Sequence, residues 1–205
     1  MTIAEFVIQE VGSDRTGHDF RHALRVNKLA LELAKEHGGD ERICHVASLL
    51  HDCADEKLFT DLEKQKKKIA AVLSENGYSA AEIKAILIII DTIPFHKEKD
   101  HPLTEINAQI VSDADKLEAI GAIGVIRAIE YGASKGRPFY EDKNLETIDG
   151  DLQFKEESPS TLSHFYEKLL RLGDHFYTPT AKKKAEPRLQ FIRLFLKEFY
   201  SELKD

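Results

Sequence analysis

Val46-Ala47-Ser48-Leu49-Leu50-His51-Asp52 decides how this chain is read, because an apolar run at helical spacing ends in an adjacent imidazole and carboxylate. A helix serving only the core would continue apolar, since buried charges are found paired or on a metal. Two further donors frame the pair. His22 lies upstream in His18-Asp19-Phe20-Arg21-His22-Ala23-Leu24-Arg25-Val26, and Asp115 lies far downstream in Val111-Ser112-Asp113-Ala114-Asp115-Lys116-Leu117. Two neutral imidazoles and two carboxylates form a mixed N/O set suited to a six-coordinate divalent ion, with two positions left for water and a substrate oxygen. The set implies metal-dependent hydrolysis.

Around that stretch, apolar residues recur at helical spacing almost throughout. Ala23, Val26, Leu29, Ala30, Leu33 and Ala34 form one stripe ended by Gly38-Gly39, which puts His22 near the start of a long helix. Asp40 is placed to cap the next helix, which turns Ile43, Val46, Ala47 and Leu50 inward and delivers His51 and Asp52 near its end. A basic helix from Lys64 to Leu73 stops at Asn76-Gly77, and Ser79-Ala80-Ala81-Glu82 has the capping-box pattern before Ile86 to Ile90. Pro94 and Pro102 bracket a stretch read as a solvated loop. A helix from about Thr104 runs toward Asp113, before or into another through Leu117, Ile120, Ile123, Ile126 and Ile129, which places Asp115 at or near a helix start.

Residues 132–158 contain Gly136, Pro138, Asn144, Gly150 and an acidic run before Ser158-Pro159, and read as an excursion that could serve as a lid or dimer arm. Ser160 or Thr161 opens a helix toward Leu172, and Thr178-Pro179 starts a final helix to about Leu203. No strand alternation of useful length appears. The expected fold is an all-α bundle in a single domain, residues 1–205.

With 205 residues the chain can bury a sizeable core without disulfides. Its 36 acidic against 29 basic side chains give a net charge of −7, which argues against nonspecific duplex binding and requires local positive charge for an anionic substrate. Cys44 and Cys53 show no Cys-x-x-Cys spacing, and no leader or long apolar span is evident, so a cytoplasmic protein with reduced thiols and no membrane partner is expected.

The order H…HD…D resembles the HD-domain metal-dependent phosphohydrolases. Gly17-His18-Asp19 with His22 and Arg25-Val26, Leu49-Leu50-His51-Asp52 with Asp55 and Lys57, and the run from Asp113 to Gly124 are similar to a subgroup of small bacterial HD hydrolases. Tyr131-Gly132, Lys135-Gly136-Arg137, His164 to Leu170 and Thr178 to Lys182 extend the likeness over nearly the whole chain. The resemblance implies an all-α HD fold and one divalent ion (Mn, Co, Ni, Fe, Zn or Mg, with Mn favoured) on His22, His51, Asp52 and Asp115. It also implies cleavage of a nucleoside triphosphate to monophosphate and pyrophosphate. A 5′-nucleotidase, a cyclic-nucleotide phosphodiesterase and a non-catalytic nucleotide-binding module remain as alternatives.

Beside the metal, Asp52, Asp55 and His18 are candidate catalytic groups. Asp55 is a base or water-positioner against the plain reading of a charged helix end; His18 is a phosphate contact or a capping histidine. Lys57, Lys116, Arg137 and Arg21 are candidate phosphate contacts, although each cation alone is more often solvated. Tyr131 either stacks on a base or packs in the core. His96 and His101 raise a dinuclear centre as a lesser alternative. Phe191, Ile192, Leu194, Phe195 and Phe199 exceed one narrow stripe, which leaves a homodimer open.

Overall fold

The computed structural model describes residues 1–98, 101–141, 145–148, 151–154 and 160–204. The fold is all-α, with one short hairpin. It divides into two compact units, Met1–Asp14 with His18–Asp115, and Arg15–Gly17 with Lys116–Asp205.

In the first unit, α1 (Ile3–Val11) starts at a capping box in which the Thr2 hydroxyl accepts the Glu5 N–H and the Glu5 carboxylate accepts the Thr2 N–H. Helix α2 (Phe20–His37) is capped by Asp19, whose carboxylate accepts the His22 N–H at 2.9 Å. It ends at Gly38, whose φ of 74° lies in the left-handed region where a side chain is strained. Asp40 then caps α3 (Glu41–Leu50) by accepting from the N–H groups of Arg42 and Ile43. The apolar stripes fall inward as their spacing requires: Val26, Ala30 and Leu33 of α2 and Val46, Ala47 and Leu50 of α3 are fully buried. Burial of each Leu or Val contributes about 1.5–3 kcal/mol, and α2 packs along α3 through this seam.

Helices α4 (Leu62–Glu75) and α5 (Ala80–Thr92) follow, α5 opening on the expected Ser79/Glu82 capping box. Between Pro94 and Pro102 the chain departs from a solvated loop: α6 (Phe95–Glu98) forms one helical turn, and Glu98 is buried, accepting the Ser112 hydroxyl at 2.7 Å. Lys99 and Asp100 of that stretch lie outside the described residues. Helix α7 (Ile106–Glu118) also corrects an expectation, because Asp115 stands in its last turn and not at a helix start. Ile110, Val111, Ala114 and Leu117 continue one buried helical face straight through the Asp113-Ala114-Asp115 sequence, so the acidic residues do not interrupt the helix.

In the second unit, α8 (Gly121–Ser134) buries Gly121, Gly124, Val125, Ala128 and Gly132 and leaves Ile123, Ile126 and Ile129 exposed, the reverse of the expected stripe. Close packing explains the choice, since a Cβ on Gly132 would lie 1.9 Å from Thr161 Oγ1. Strands β1 (Leu145–Ile148) and β2 (Asp151–Phe154) pair antiparallel with Leu145 opposite Phe154, a hairpin absent from the sequence reading. The expected excursion therefore begins with helix, since α8 continues to Ser134. Asn144, Gly150 and the acidic run to Ser158-Pro159 lie outside the described residues.

The helix expected from Ser160 to Leu172 is broken. Ser160 does cap α9 (Thr161–His164), but the chain then widens into a π turn over Phe165–Leu169 and tightens into a 3-10 turn over Arg171–His175. The Leu170 N–H reaches back to the Phe165 carbonyl, and Phe165 stacks on Phe195 of α10 (Pro179–Glu202) with ring centroids 5.9 Å apart. Along α10, Ile192 is buried, Phe195 and Phe199 are half-buried, and Phe191 and Leu194 are exposed.

Candidate metal centre

The helix carrying Val46 to Leu50 stops one residue short of the His-Asp pair, and His51–Ala54 tighten into a 3-10 turn. Adjacent side chains on an α-helix diverge by about 100°, so the change of helix type at α3's end lets both residues face one point. His22, on the first turn of α2, meets them there. Its Nε2 lies 3.0 Å from His51 Nε2 and 3.2 Å from Asp52 Oδ2, and His51 Nε2 lies 3.3 Å from the same oxygen. Asp115 Oδ1 comes from α7 to 3.6 Å from His22 Nε2 and 3.7 Å from His51 Nε2.

His22, His51 and Asp52 are buried, whereas the Asp115 side chain is 38% exposed. The open side of the cluster is therefore the Asp115 side. Nitrogen and oxygen donors about 2.0–2.2 Å from one ion are separated by about 3.0 Å at right angles and about 3.5 Å at tetrahedral angles. The separations among His22, His51 and Asp52 sit in that range and those to Asp115 Oδ1 lie just beyond it, and His22, His51 and Asp52 form a buried group able to hold a metal.

Two details of protonation suit a cation. His51 Nδ1 lies 2.8 Å from the Ser48 carbonyl, which can only accept, so the proton resides on Nδ1 and Nε2 presents its lone pair to the cluster. Asp52 Oδ2 is buried without a hydrogen bond of acceptable geometry. Burial would push the Asp52 carboxyl up, but the imidazoles of His51, His22 and His18 outweigh it and hold it well below the usual carboxylate range. A buried anionic oxygen between two imidazole nitrogens is an arrangement that a divalent ion completes.

The other expected residues are placed as follows. His18 precedes α2, is half-buried, and sets its ring edge-on to His22 at 5.9 Å between centroids. Asp55 ends the 3-10 turn, half-buried, and its Oδ1 accepts the Lys57 N–H at 2.7 Å; the Lys57 side chain is exposed. Arg21 is exposed on α2.

Lys116 is buried in the second unit, donating to the His175 carbonyl at 2.6 Å and lying 4.7 Å over the Tyr177 ring, so its ammonium is already engaged by protein groups. Arg137 and Lys135 both stand over Tyr131, at 5.6 and 5.5 Å from its ring centroid. Arg127 pairs with buried Glu118. His96 is exposed, 3.5 Å from Glu56, and is not part of the three-residue cluster.

Sequence reasoning missed the support behind His51. Asn27 Nδ2 lies 2.9 Å from the His45 carbonyl and 2.9 Å from Ser48 Oγ, while the Ser48 hydroxyl donates to the His45 carbonyl. This network braces the last turn of α3, whose carbonyl orients His51. Its signal in the sequence is a polar Asn27 on the buried face between Val26 and Ala30, and a Ser48 inside the apolar run.

Residues 19–120 match the HD domain family. The uncharacterized protein YpgQ of Bacillus subtilis is 30% identical over 200 residues, 96% of this chain and 90% of its own length. The crystal structure of YpgQ in complex with ADP superimposes with a TM-score of 0.77 over 97% of each chain, at 29% identity. A HD-superfamily hydrolase from Bacillus thuringiensis superimposes with a TM-score of 0.74 at 35% identity, over 98% of this chain and 95% of that one.

The chain belongs to the HD domain family, and its class is that of the HD-superfamily hydrolases, metal-dependent phosphohydrolases. HD domains bind divalent metals, and the His22, His51 and Asp52 cluster is where this chain can do so. No described helix is long and apolar enough to cross a membrane.

Proposed function

We propose that this protein hydrolyses a nucleoside triphosphate to the monophosphate and pyrophosphate at a single divalent ion held by His22, His51, Asp52 and Asp115, with manganese the favoured metal. The convergence of the four donor side chains carries the metal part of this reading. The ADP bound to YpgQ supports a nucleotide as the substrate class.

When bound, such an ion lowers the pKa of water and polarises a phosphoryl oxygen. The chain's own residues supply the rest. Asp55 leaves Oδ2 to take a proton from the attacking water, since Oδ1 is engaged by the Lys57 N–H. His18, half-buried beside His22, is placed to steady charge on the departing oxygen. Lys57 and Arg21, both exposed, are candidate contacts for the outer phosphates. A nucleotide pool as substrate goes with a cytoplasmic location.

The test is a panel assay of chelator-stripped protein reloaded with Mn²⁺, Co²⁺, Ni²⁺ or Mg²⁺ and given nucleoside triphosphates, monophosphates and cyclic nucleotides. Monophosphate plus pyrophosphate from triphosphates is the expected result. Nucleoside released from monophosphates, or no turnover with any metal, overturns it in favour of a nucleotidase or a binding module.

A further inference from the structure

One surface of the second unit has the composition of an interior. Helix α8 is apolar nearly all round. Its inner side buries Gly124, Val125, Ala128 and Gly132, while its outer side presents Ala122, Ile123, Ile126, Ile129 and Ala133 beside Glu130 and Ser134. A helix that is hydrophobic on every side is normally covered on every side. The neighbouring α10 adds Pro187, Phe191 and Leu194, all exposed.

The two helices pack along each other in the same direction. Gly121, at the start of α8, lies against the Arg188 side chain, and Phe139, just past the end of α8, sets its ring edge-on to Phe199 at 5.0 Å. Arg188 and Phe199 thus mark the side of α10 that meets α8. At 100° per residue, Phe191 and Leu194 follow that side round toward solvent, as Ile129 and Ile126 do on α8. The exposed apolar residues of both helices therefore share one outward surface.

Ile123, Ile126, Ile129, Phe191 and Leu194 are each between 38% and 57% exposed. At about 150–200 Å² for a whole residue of this size, they leave about 400 Å² of apolar area in water. A patch of roughly 300–600 Å² is the largest that an ordinary monomer shows, and it often marks a contact site. A stable interface covers about 800 Å² on each partner, a little over half of it apolar. This patch and its polar rim match one side of such an interface.

The charges of α10 identify the other side. Lys183, Pro187, Gln190, Phe191, Leu194 and Glu198 form one exposed row at helical spacing. Lys183 and Glu198 stand equally far from a centre between Gln190 and Phe191, and so do Pro187 and Leu194. A second copy laid antiparallel across that centre brings Lys183 of each chain to Glu198 of the other, and Pro187 to Leu194. Beside the row, Glu186 then faces Arg193 and Lys197 of the other copy. Parallel pairing would instead set lysine on lysine and glutamate on glutamate, a repulsion that selects against it.

We propose that this surface is a twofold interface between two copies of this chain, with α10 packed antiparallel on α10 about Phe191 and the outer isoleucines of α8 widening the buried area. Such a contact uses the same patch on both chains, which is what a self-complementary row permits. The apolar residues supply the affinity, and the rim charges, weak singly in water, fix the direction. The inference stands apart from the reaction proposed above.

The deciding experiment is sedimentation equilibrium of the full chain over a range of concentrations. The native protein is expected at twice the 23.3 kDa mass of the chain. Ile126→Lys and Leu194→Lys, both at exposed positions, should sediment as monomers with native circular dichroism. Lys183→Glu and Glu198→Lys should each weaken association several-fold, every change acting twice in a symmetric pair, and the Lys183→Glu/Glu198→Lys double variant should recover native affinity.

A native protein that stays monomeric at every concentration overturns the interface and leaves the surface to a partner of other chemistry. A dimer untouched by Ile126→Lys and Leu194→Lys also overturns it. Were a lysine variant to lose its fold, the charge reversals at exposed polar positions still decide: a double variant no better than either single one overturns the antiparallel pairing.

Discussion

His51 hands its Nδ1 proton to the Ser48 carbonyl at 2.8 Å, and that single hydrogen bond settles which face of the imidazole meets Asp52. With Nδ1 committed, the Nε2 lone pair faces the buried carboxylate and His22. Replacing His51 or Asp52 by alanine therefore removes a donor that the remaining residues cannot replace. His51→Ala and Asp52→Ala are expected to lose both bound metal and hydrolysis, measured by elemental analysis and product chromatography. Full activity in Asp52→Ala would sink the site assignment.

His96 is the control for a second ion. Its ring is exposed and lies 3.5 Å from Glu56, away from the His22, His51 and Asp52 cluster. His96→Ala should keep the metal stoichiometry of the native protein, and a drop by one equivalent would instead favour a dinuclear centre.

The pairing of buried Glu118 with half-buried Arg127 predicts an asymmetry in stability. Removing one partner weakens the compensation of a charge taken out of water and costs up to about 3–5 kcal/mol, whereas replacing both by apolar side chains of similar size costs far less. Urea denaturation of Glu118→Gln, Arg127→Met and the Glu118→Leu/Arg127→Met double variant measures this. Additive losses would contradict it.

Cys44 supplies a pH dependence with a definite sign. Burial first, and then the carboxylates of Glu105, Asp40 and Glu41, push its thiol up to about 12. The folded state thus holds this proton more tightly than the unfolded chain, whose thiol titrates near about 8.5. Its contribution is fully present below the unfolded value and is lost as pH rises from there toward about 12. Denaturant midpoints of native protein and Cys44→Ala should converge across that alkaline window. At neutral pH a thiol reagent should label neither Cys44 nor Cys53 until the protein is unfolded, because both are buried.

Gly132 tests the packing of α8 on α9. Gly132→Ala brings a Cβ to 1.9 Å from Thr161 Oγ1 and 3.0 Å from Thr161 Cβ, so it should destabilise by about 1–3 kcal/mol in urea. Thr161→Ala in the same chain should restore part of that loss. No rescue would place the strain elsewhere.

Much of this was legible because the signals were local. The Asp40, Ser79 and Thr178 caps each sit beside the apolar periodicity they start, and all three hold. The HD pair stood out because two buried polar residues followed five residues of helical core. What failed required knowledge of neighbours. Asp115 was misplaced within its helix because two aspartates read as a start, while the buried face running through Ala114 and Leu117 shows only when packing is known.

The face of α8 was reversed for the same reason, since its glycines are the interior residues and its isoleucines are not. The π turn at Phe165–Leu169 has no local mark in the sequence at all. Lys116 looked like a free cation, and only the fold supplies the His175 carbonyl that holds it.

The ten residues of α3, set between the Asp40 cap and the turn that bears the ligands, act as a ruler. One residue more or fewer would rotate His51 and Asp52 by about 100° and shift them by about 1.5 Å along the axis, turning them away from His22. The segment between Gly38 and His51 is therefore intolerant of length change whatever its residues, whereas the turn after Ala54 can absorb insertions without moving the donors. Over generations this ruler would preserve a count of residues more strictly than their kind.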